Sequence, residues 1–242
     1  MKRLLKRKSE PRNIELITYQ YPKSSMAEAY RTLRTNLGFA SMDDPCRSIL
    51  FTSTSPRDGK STVASNLAVV MAQAGNRVVL IDADLRKPVQ HQIFEVDNRQ
   101  GLTSVLLQKV EAENAMHNGL VENLHVMTSG PIPPNPAEIL GSERTQQMLQ
   151  QLLDEYDYVF IDSPPILAVT DAAILSTIVD GVVLVVNYAV TRNELAREAV
   201  EQFKKANARV LGVVLNQVQM ESSDYKYYYY YYHSNDEENQ KN

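Results

Sequence analysis

Residues 53–62 read Ser53-Thr54-Ser55-Pro56-Arg57-Asp58-Gly59-Lys60-Ser61-Thr62. A short apolar run, residues 47–53, precedes them, and a helix-forming run, 61–74, follows and ends before Gly75. A turn placed between a buried strand and a helix, closing on Gly-Lys-Ser-Thr, is the arrangement of a phosphate-binding loop. Loop N–H groups and the helix N-terminus face the phosphates. Ser55, Pro56, Arg57, Asp58, Gly59, Lys60, Ser61 and Thr62 are therefore candidate nucleotide contacts. Lys60 supplies charge to the β- and γ-phosphates, and the Ser61 hydroxyl suits Mg²⁺. The common form of the loop begins with Gly where this chain has Thr54.

Outward from the loop, apolar strands alternate with helices. Strands are expected at 77–82, 124–128, 158–162, 181–187 and 209–216, and helices at 26–40 (capped by Ser25), 102–108, 142–154 and 193–207. A proline-rich loop is expected over 131–136. Nearly continuous apolar strands between helices indicate an α/β fold, a mostly parallel sheet covered on both faces. The 242 residues suffice for one such domain with a sizeable core. The reading divides the chain into an irregular basic arm (1–24), the α/β domain (25–216) and a flexible tail (217–242).

Two further strands end in acid. Residues 78–81 lead into Asp82-Ala83-Asp84, and 158–161 into Asp162-Ser163-Pro164-Pro165. Strand C-terminal ends line the ligand crevice of such sheets. Asp82 and Asp84 share a face if the extended path continues. Together with Ser61, Asp82 and Asp162 form an oxygen donor set suited to Mg²⁺ beside a nucleotide. Lys60, Asp82, Asp84 and Asp162 are the catalytic candidates.

The tail explains what phosphate chemistry would act on. Seven of the thirteen tyrosines, Tyr225, Tyr227, Tyr228, Tyr229, Tyr230, Tyr231 and Tyr232, fall within eight residues. They follow no helical or strand period, so their hydroxyls are a more plausible asset than their rings. A tyrosine hydroxyl is neutral at pH 7, so phosphoryl transfer to it needs a base or a metal. Asp82 is the first candidate base and Asp84 the second.

Composition excludes several classes. The formal charge of −4 argues against a nucleic-acid binder. A single cysteine, Cys46, excludes an internal disulfide and a cysteine-ligated cluster within one chain, and suits a reducing cytoplasm. No apolar run approaches the roughly 18–20 residues of a membrane span. Lys2, Arg3, Lys6, Arg7 and Lys8 could attract anionic lipid or an acidic partner segment.

In this order, the motifs of residues 53–62, 79–86 and 159–165, with the tyrosine tail, resemble the bacterial tyrosine kinases of capsule and exopolysaccharide synthesis. Glu28-Ala29-Tyr30-Arg31-Thr32-Leu33-Arg34 resembles that family's E-x-x-R-x-x-R oligomerisation motif. Glu28, Arg31 and Arg34 also lie three apart on one helix face, so pairing within the helix is the plainer account. The resemblance spans roughly residues 24–232. It implies a phosphate-loop NTPase fold related to MinD and ParA, with ATP and Mg²⁺ as cofactors. It further implies autophosphorylation of the tail, transfer between subunits of a ring-like homo-oligomer, and Asn216 near the adenine. It implies a membrane-spanning activator with a cytoplasmic activating segment, a cognate phosphotyrosine phosphatase, and a cytoplasmic kinase recruited to the inner face of the membrane. The position that carries a lysine in MinD-type loops is Ser55 here, which favours the kinase branch. A MinD/ParA-type ATPase switch and an aromatic-tailed scaffold are the competing readings.

Overall fold

The structure is a computed structural model that describes residues 16–42 and 44–218. Residues 1–15 of the expected basic arm (1–24) and all seven tail tyrosines lie outside the described residues.

The central sheet is built from β1 (Ser48–Ser53), β2 (Val78–Asp82), β3 (Met116–Asn118), β4 (Leu124–Met127), β5 (Tyr158–Asp162), β6 (Gly181–Asn187) and β7 (Val210–Asn216), ordered β3-β4-β2-β5-β1-β6-β7. Every pairing is parallel except β3 with β4. β1, β2 and β6 are buried along their whole length. This burial on both faces explains why the sequence shows continuous apolar runs rather than alternation.

Two apolar layers sandwich the sheet. One contains α2 (Ser25–Ala40) and α3 (Lys60–Gln73), with Phe51, Leu67 and Phe160 at its centre. Phe51 and Phe160 pack with ring centroids 5.0 Å apart in a tilted pair. The other contains α7 (Glu143–Glu155), α8 (Asp171–Ser176) and α9 (Asn193–Lys205) against Leu50, Ile161 and Leu184. Twelve residues of α3 are buried, so this helix is apolar nearly all round and sits between the sheet and α2.

Three expectations need correction. The cap of α2 is Ser24, not Ser25: the Ser24 hydroxyl accepts from the Ala27 N–H at 3.2 Å. The segment before residue 24 is not irregular throughout, since α1 (Ile17–Gln20) docks on α3. There the Thr18 N–H donates to Asn66 Oδ1 at 3.0 Å and its hydroxyl to Asn66 O at 3.2 Å, burying a polar junction with its hydrogen bonds satisfied. The helix expected over 102–108 is shorter, α5 (Leu102–Leu106), and short helices for which no element was expected are α4 (Gln90–Ile93), α6 (Pro136–Leu140) and α8.

Parallel pairing brings the chemically interesting strand ends to one edge. Asp82 stands directly opposite Asp162, Phe51 opposite Asp162, and Asn187 opposite Asn216.

Candidate nucleotide and catalytic site

The turn after β1 is wrapped around a buried carboxylate. Asp58 Oδ2 accepts from the Thr54 hydroxyl at 2.7 Å and from the Ser55 N–H at 2.9 Å. The Thr191 hydroxyl reaches Asp58 Oδ1 at 3.4 Å. This accounts for Thr54 where a glycine is common: its backbone φ is not positive, and its side chain is a buried tie within the loop. The positive φ values fall instead at Arg57 (80°) and Gly59 (93°). Gly59 is required twice over, because a Cβ there would also lie 1.9 Å from Asn216 Nδ2. Asn216 Nδ2 donates to the Asp58 carbonyl at 2.9 Å, and Gln217 Nε2 to the Arg57 carbonyl at 3.2 Å. The end of β7 thus braces the loop from behind.

Gly59 caps α3 without a side-chain hydrogen bond, and no acidic residue occupies the first turn. The helix therefore keeps its N-terminal N–H groups and positive dipole end for an anion. Ser61 and Thr62 lie in that turn.

Lys60 makes three contacts with its three donors. Its ammonium lies 3.0 Å from Asp84 Oδ2, 3.2 Å from Asp162 Oδ1 and 3.2 Å from the Ser61 hydroxyl. Burial alone would lower its pKa, but the charges of Asp162 and Asp84 outweigh that and hold it above the ordinary lysine value. The structure thus brings Lys60, Ser61, Asp84 and Asp162 within contact of one another.

Asp82 is fully buried at the end of β2. Its Oδ2 accepts from the Val89 and Gln90 N–H groups, each at 2.9 Å, and Oδ1 accepts from the Asp84 N–H at 3.2 Å. A carboxylate offers about four acceptor sites, so Oδ1 retains one. Burial, and then the charge of Asp162, pushes its pKa up to about 7 against the Gln90 N–H bond and Lys60. The extended path assumed for Asp84 stops at Asp82, where β2 ends. Asp84 instead turns with the loop, accepting from the Lys87 N–H at 2.9 Å while facing Lys60.

Gln90 was not singled out from sequence. It is fully buried in α4, donates to Asp162 Oδ2 at 2.8 Å, and accepts from the Ser65 hydroxyl at 2.7 Å. With Lys60 on Oδ1, it fixes both oxygens of Asp162. Nothing in a four-residue helix announces such a role; only its spacing behind the Asp82-Ala83-Asp84 turn could have drawn attention to it.

Among the described residues no three His, Cys, Asp or Glu side chains form a ready metal cage. Mg²⁺ usually keeps several waters and binds through one or two carboxylates and substrate phosphates. Three carboxylates against one lysine leave an excess of negative charge, and their oxygens with the Ser61 hydroxyl are the hard donors this ion takes. Glu28 and Arg31 pair within α2 at 2.7 Å, and Arg31 also donates to the Pro22 carbonyl at 2.5 Å. Arg34 reaches the Val70 carbonyl at 3.4 Å.

Residues 47–242 match the ParA family model, described as NUBPL iron-transfer P-loop NTPase. Tyrosine-protein kinase YwqD of Bacillus subtilis is 47% identical over 213 residues, which cover 88% of this chain and 90% of that protein. The chain belongs to the bacterial tyrosine-protein kinases. The putative tyrosine-protein kinase CapB of Staphylococcus aureus is 38% identical, covering 88% of this chain and 93% of that one. Tyrosine-protein kinase etk of Escherichia coli is 36% identical, but the match covers only 30% of its length. Among solved structures, the chimerical protein CapA2B2 superposes with a TM-score of 0.82 at 41% identity, over 85% of this chain and 90% of that one. The etk kinase domain superposes at 0.80 and 33% identity, over 91% and 87%. The MinD protein of Pyrococcus horikoshii, complexed with Mg-ADP, superposes at 0.62 and 24% identity, over 73% and 72%, and shares the fold. The enzyme is thus a nucleotide-binding protein-tyrosine kinase on a ParA/MinD-type phosphate-loop fold.

Proposed function

We propose that this kinase transfers the γ-phosphoryl group of Mg²⁺-bound ATP to the tyrosines of its own C-terminal tail. The observation that carries this reading is the position of Asn216. β7 ends against the back of the phosphate loop, at the edge that holds Lys60, Asp84 and Asp162. Residues 217–224 can span at most about 27 Å, so Tyr225 begins within reach of this edge on its own or an adjoining subunit.

Lys60 leaves Asp84 and Asp162 to meet the β- and γ-phosphates, while the loop N–H groups and the start of α3 hold the phosphate oxygens. Ser61 and Asp162 would hold Mg²⁺ directly and Asp82 through a water, and the ion would supply charge neutralisation at the phosphates. The phenolic oxygen bonds to the γ-phosphorus as the bond to the β–γ bridging oxygen breaks and ADP departs. Asp82 takes the phenolic proton on its remaining acceptor site, directly or through a water, and its raised pKa suits that task. Asp84 is the second candidate. Asn216 is assigned to the adenine.

The tail is phosphorylated between subunits of a ring-like homo-oligomer, with Glu28, Arg31 and Arg34 at its interface. Activation comes from a membrane-spanning partner that recruits the kinase to the inner face of the membrane, a phosphatase reverses the reaction, and the cycle regulates capsule and exopolysaccharide synthesis and export. The likeness to the chimerical protein CapA2B2 supports the partner reading. Seven phosphotyrosines add roughly −10 to −14 charges, which should loosen the assembly.

Mixing a Lys60→Met chain that retains its tail with an active chain lacking residues 219–242 tests transfer between subunits. Labelling of the Lys60→Met chain is expected; an unlabelled chain in a mixture shown to co-assemble rejects it. Replacing Glu28, Arg31 and Arg34 together should yield a folded monomer, and an unchanged oligomer by light scattering would remove them from the interface.

A further inference from the structure

Arg86 and Asp171 have no part in the chemistry described so far, yet they make a two-pronged ion pair beside it. Arg86 Nε donates to Asp171 Oδ2 and Nη2 to Asp171 Oδ1, both at 2.9 Å. Asp171, the first residue of α8, is fully buried, whereas the Arg86 side chain is 40% exposed. Among the described residues no other donor reaches the Asp171 carboxylate, so its burial depends on Arg86. Such a fork fixes orientation as well as distance.

The pair joins two segments that carry the site's acids. Arg86 sits in the loop over 83–89 that follows Asp82. The Asp84, Lys87 and Val89 N–H groups bond to the loop's own carboxylates, Asp82 and Asp84. Its first residue is tied to β5 through the Ala83 N–H on the Asp162 carbonyl at 2.8 Å. Beyond that, Ala83 and Leu85 pack into the core, and among the described residues two polar side-chain ties leave the loop: Lys60 to Asp84, and Arg86 to Asp171. Lys60 gives up the first when it turns to the phosphates of a bound nucleotide.

The second tie ends on a firm support. After Asp162 the chain is pinned to β1 by the Ser163 N–H on the Phe51 carbonyl at 3.0 Å, the Thr52 hydroxyl on the Pro164 carbonyl at 2.7 Å, and the Ile166 N–H on the Ser53 carbonyl at 2.9 Å. Asp171 begins the helix that follows.

We propose that Asp171, acting through Arg86, is a positioning residue for phosphoryl transfer. The clamp holds the loop over 83–89, and with it Asp82 and Asp84, in register with Asp162 once Lys60 has moved to the nucleotide. The inference rests on the assignment of Asp82 and Asp84 to the reaction. Asp82→Asn is therefore measured in parallel: if it keeps full activity, that assignment fails whatever the clamp variants do.

The test uses the full chain with Arg86→Gln, Asp171→Asn, the double variant and Arg86→Lys. Initial rates of phosphate incorporation give kcat and KM for ATP, equilibrium binding gives the nucleotide Kd, and thermal melting checks folding. Each single variant should lose kcat by on the order of 10–100-fold, the scale of a small misplacement of reacting groups. KM and Kd for ATP should stay within about threefold, since the phosphate loop is untouched. The double variant should be no slower than the singles, because both remove one interaction. Arg86→Lys, which can meet only one oxygen at a time, should fall between wild type and Arg86→Gln. A folded Asp171→Asn chain with kcat within about twofold of wild type overturns the proposal, as do losses that multiply in the double variant. Should Asp171→Asn fail to fold, the half-exposed partner carries the test, and unchanged kcat in Arg86→Gln overturns it.

Discussion

The two edges of the sheet use charged residues in opposite ways. At the N-terminal edge, arginines stay at the surface and close off helix ends. Arg47 donates to the Leu153 carbonyl, to that of Tyr156 at 2.5 Å and to that of Asp157 at 3.2 Å, around the end of α7. Arg209 donates to the Ala40 carbonyl at 2.8 Å at the end of α2, and to Asp44 at 2.8 Å. These contacts occupy carbonyls that a helix terminus leaves unpaired. At the C-terminal edge, Lys60, Asp82, Asp84 and Asp162 are withdrawn from water around a place where a phosphate and a cation can enter. The first arrangement stabilises the fold at little cost in desolvation. The second holds excess negative charge in readiness for a ligand, so changes there should damage chemistry far more than changes at the other edge.

The largest contrast should come from Lys60→Met. Transfer should fall by at least about 10²–10³-fold, as for loss of one charge-stabilising donor. Stability should also drop by roughly 3–5 kcal/mol, because two buried carboxylates lose their cation. Phosphate incorporation and denaturant unfolding read the two effects. A variant that is inactive but fully stable would show that Lys60 contributes no net stability in the free protein.

Asp82→Asn should remove transfer while nucleotide binding stays measurable by equilibrium titration; retained activity takes Asp82 out of the mechanism. Gly59→Ala should come next. Its methyl group would meet Asn216 at a positive φ, so nucleotide affinity should fall before the fold does. Unaltered affinity would mean that the loop and Asn216 move apart freely.

Across the sheet, Arg47→Ala should cost about 0.5–1.5 kcal/mol of stability and leave kcat unchanged. A loss of kcat there would break the division between the edges.

A separate contrast is a pH dependence. The folded pKa of Asp82 is raised, so between 3.8 and about 7 the folded chain binds more protons at this site than the unfolded chain. Its contribution to stability should therefore decline as pH rises through that window. Asp82→Asn should flatten this part of the melting-temperature profile; an unchanged slope would place the titration elsewhere.

What was legible in the sequence followed from physics local to it. The apolar runs ending at Asp82 and Asp162 marked strands because both faces of a parallel sheet are buried, and parallel pairing then set those acids side by side. The phosphate loop was legible because Gly59 and Lys60 serve backbone and charge requirements that few other residues meet. What escaped was tertiary. α4 and α8 are too short to show a helical period, so Gln90 and Asp171 could not be placed in the site. β3 pairs antiparallel over three residues at the sheet edge, too few for an alternation to register. Thr18, inside a stretch read as loose, is fixed by Asn66, forty-eight positions away in the chain.

The most direct test of the central claim is intact mass spectrometry of the full chain after incubation with ATP and Mg²⁺, followed by peptide mapping. Stepwise phosphate additions confined to Tyr225 and Tyr227–Tyr232 are expected, and none in the Lys60→Met chain. ATP hydrolysis without any added mass, or phosphate only outside the tail, would contradict it.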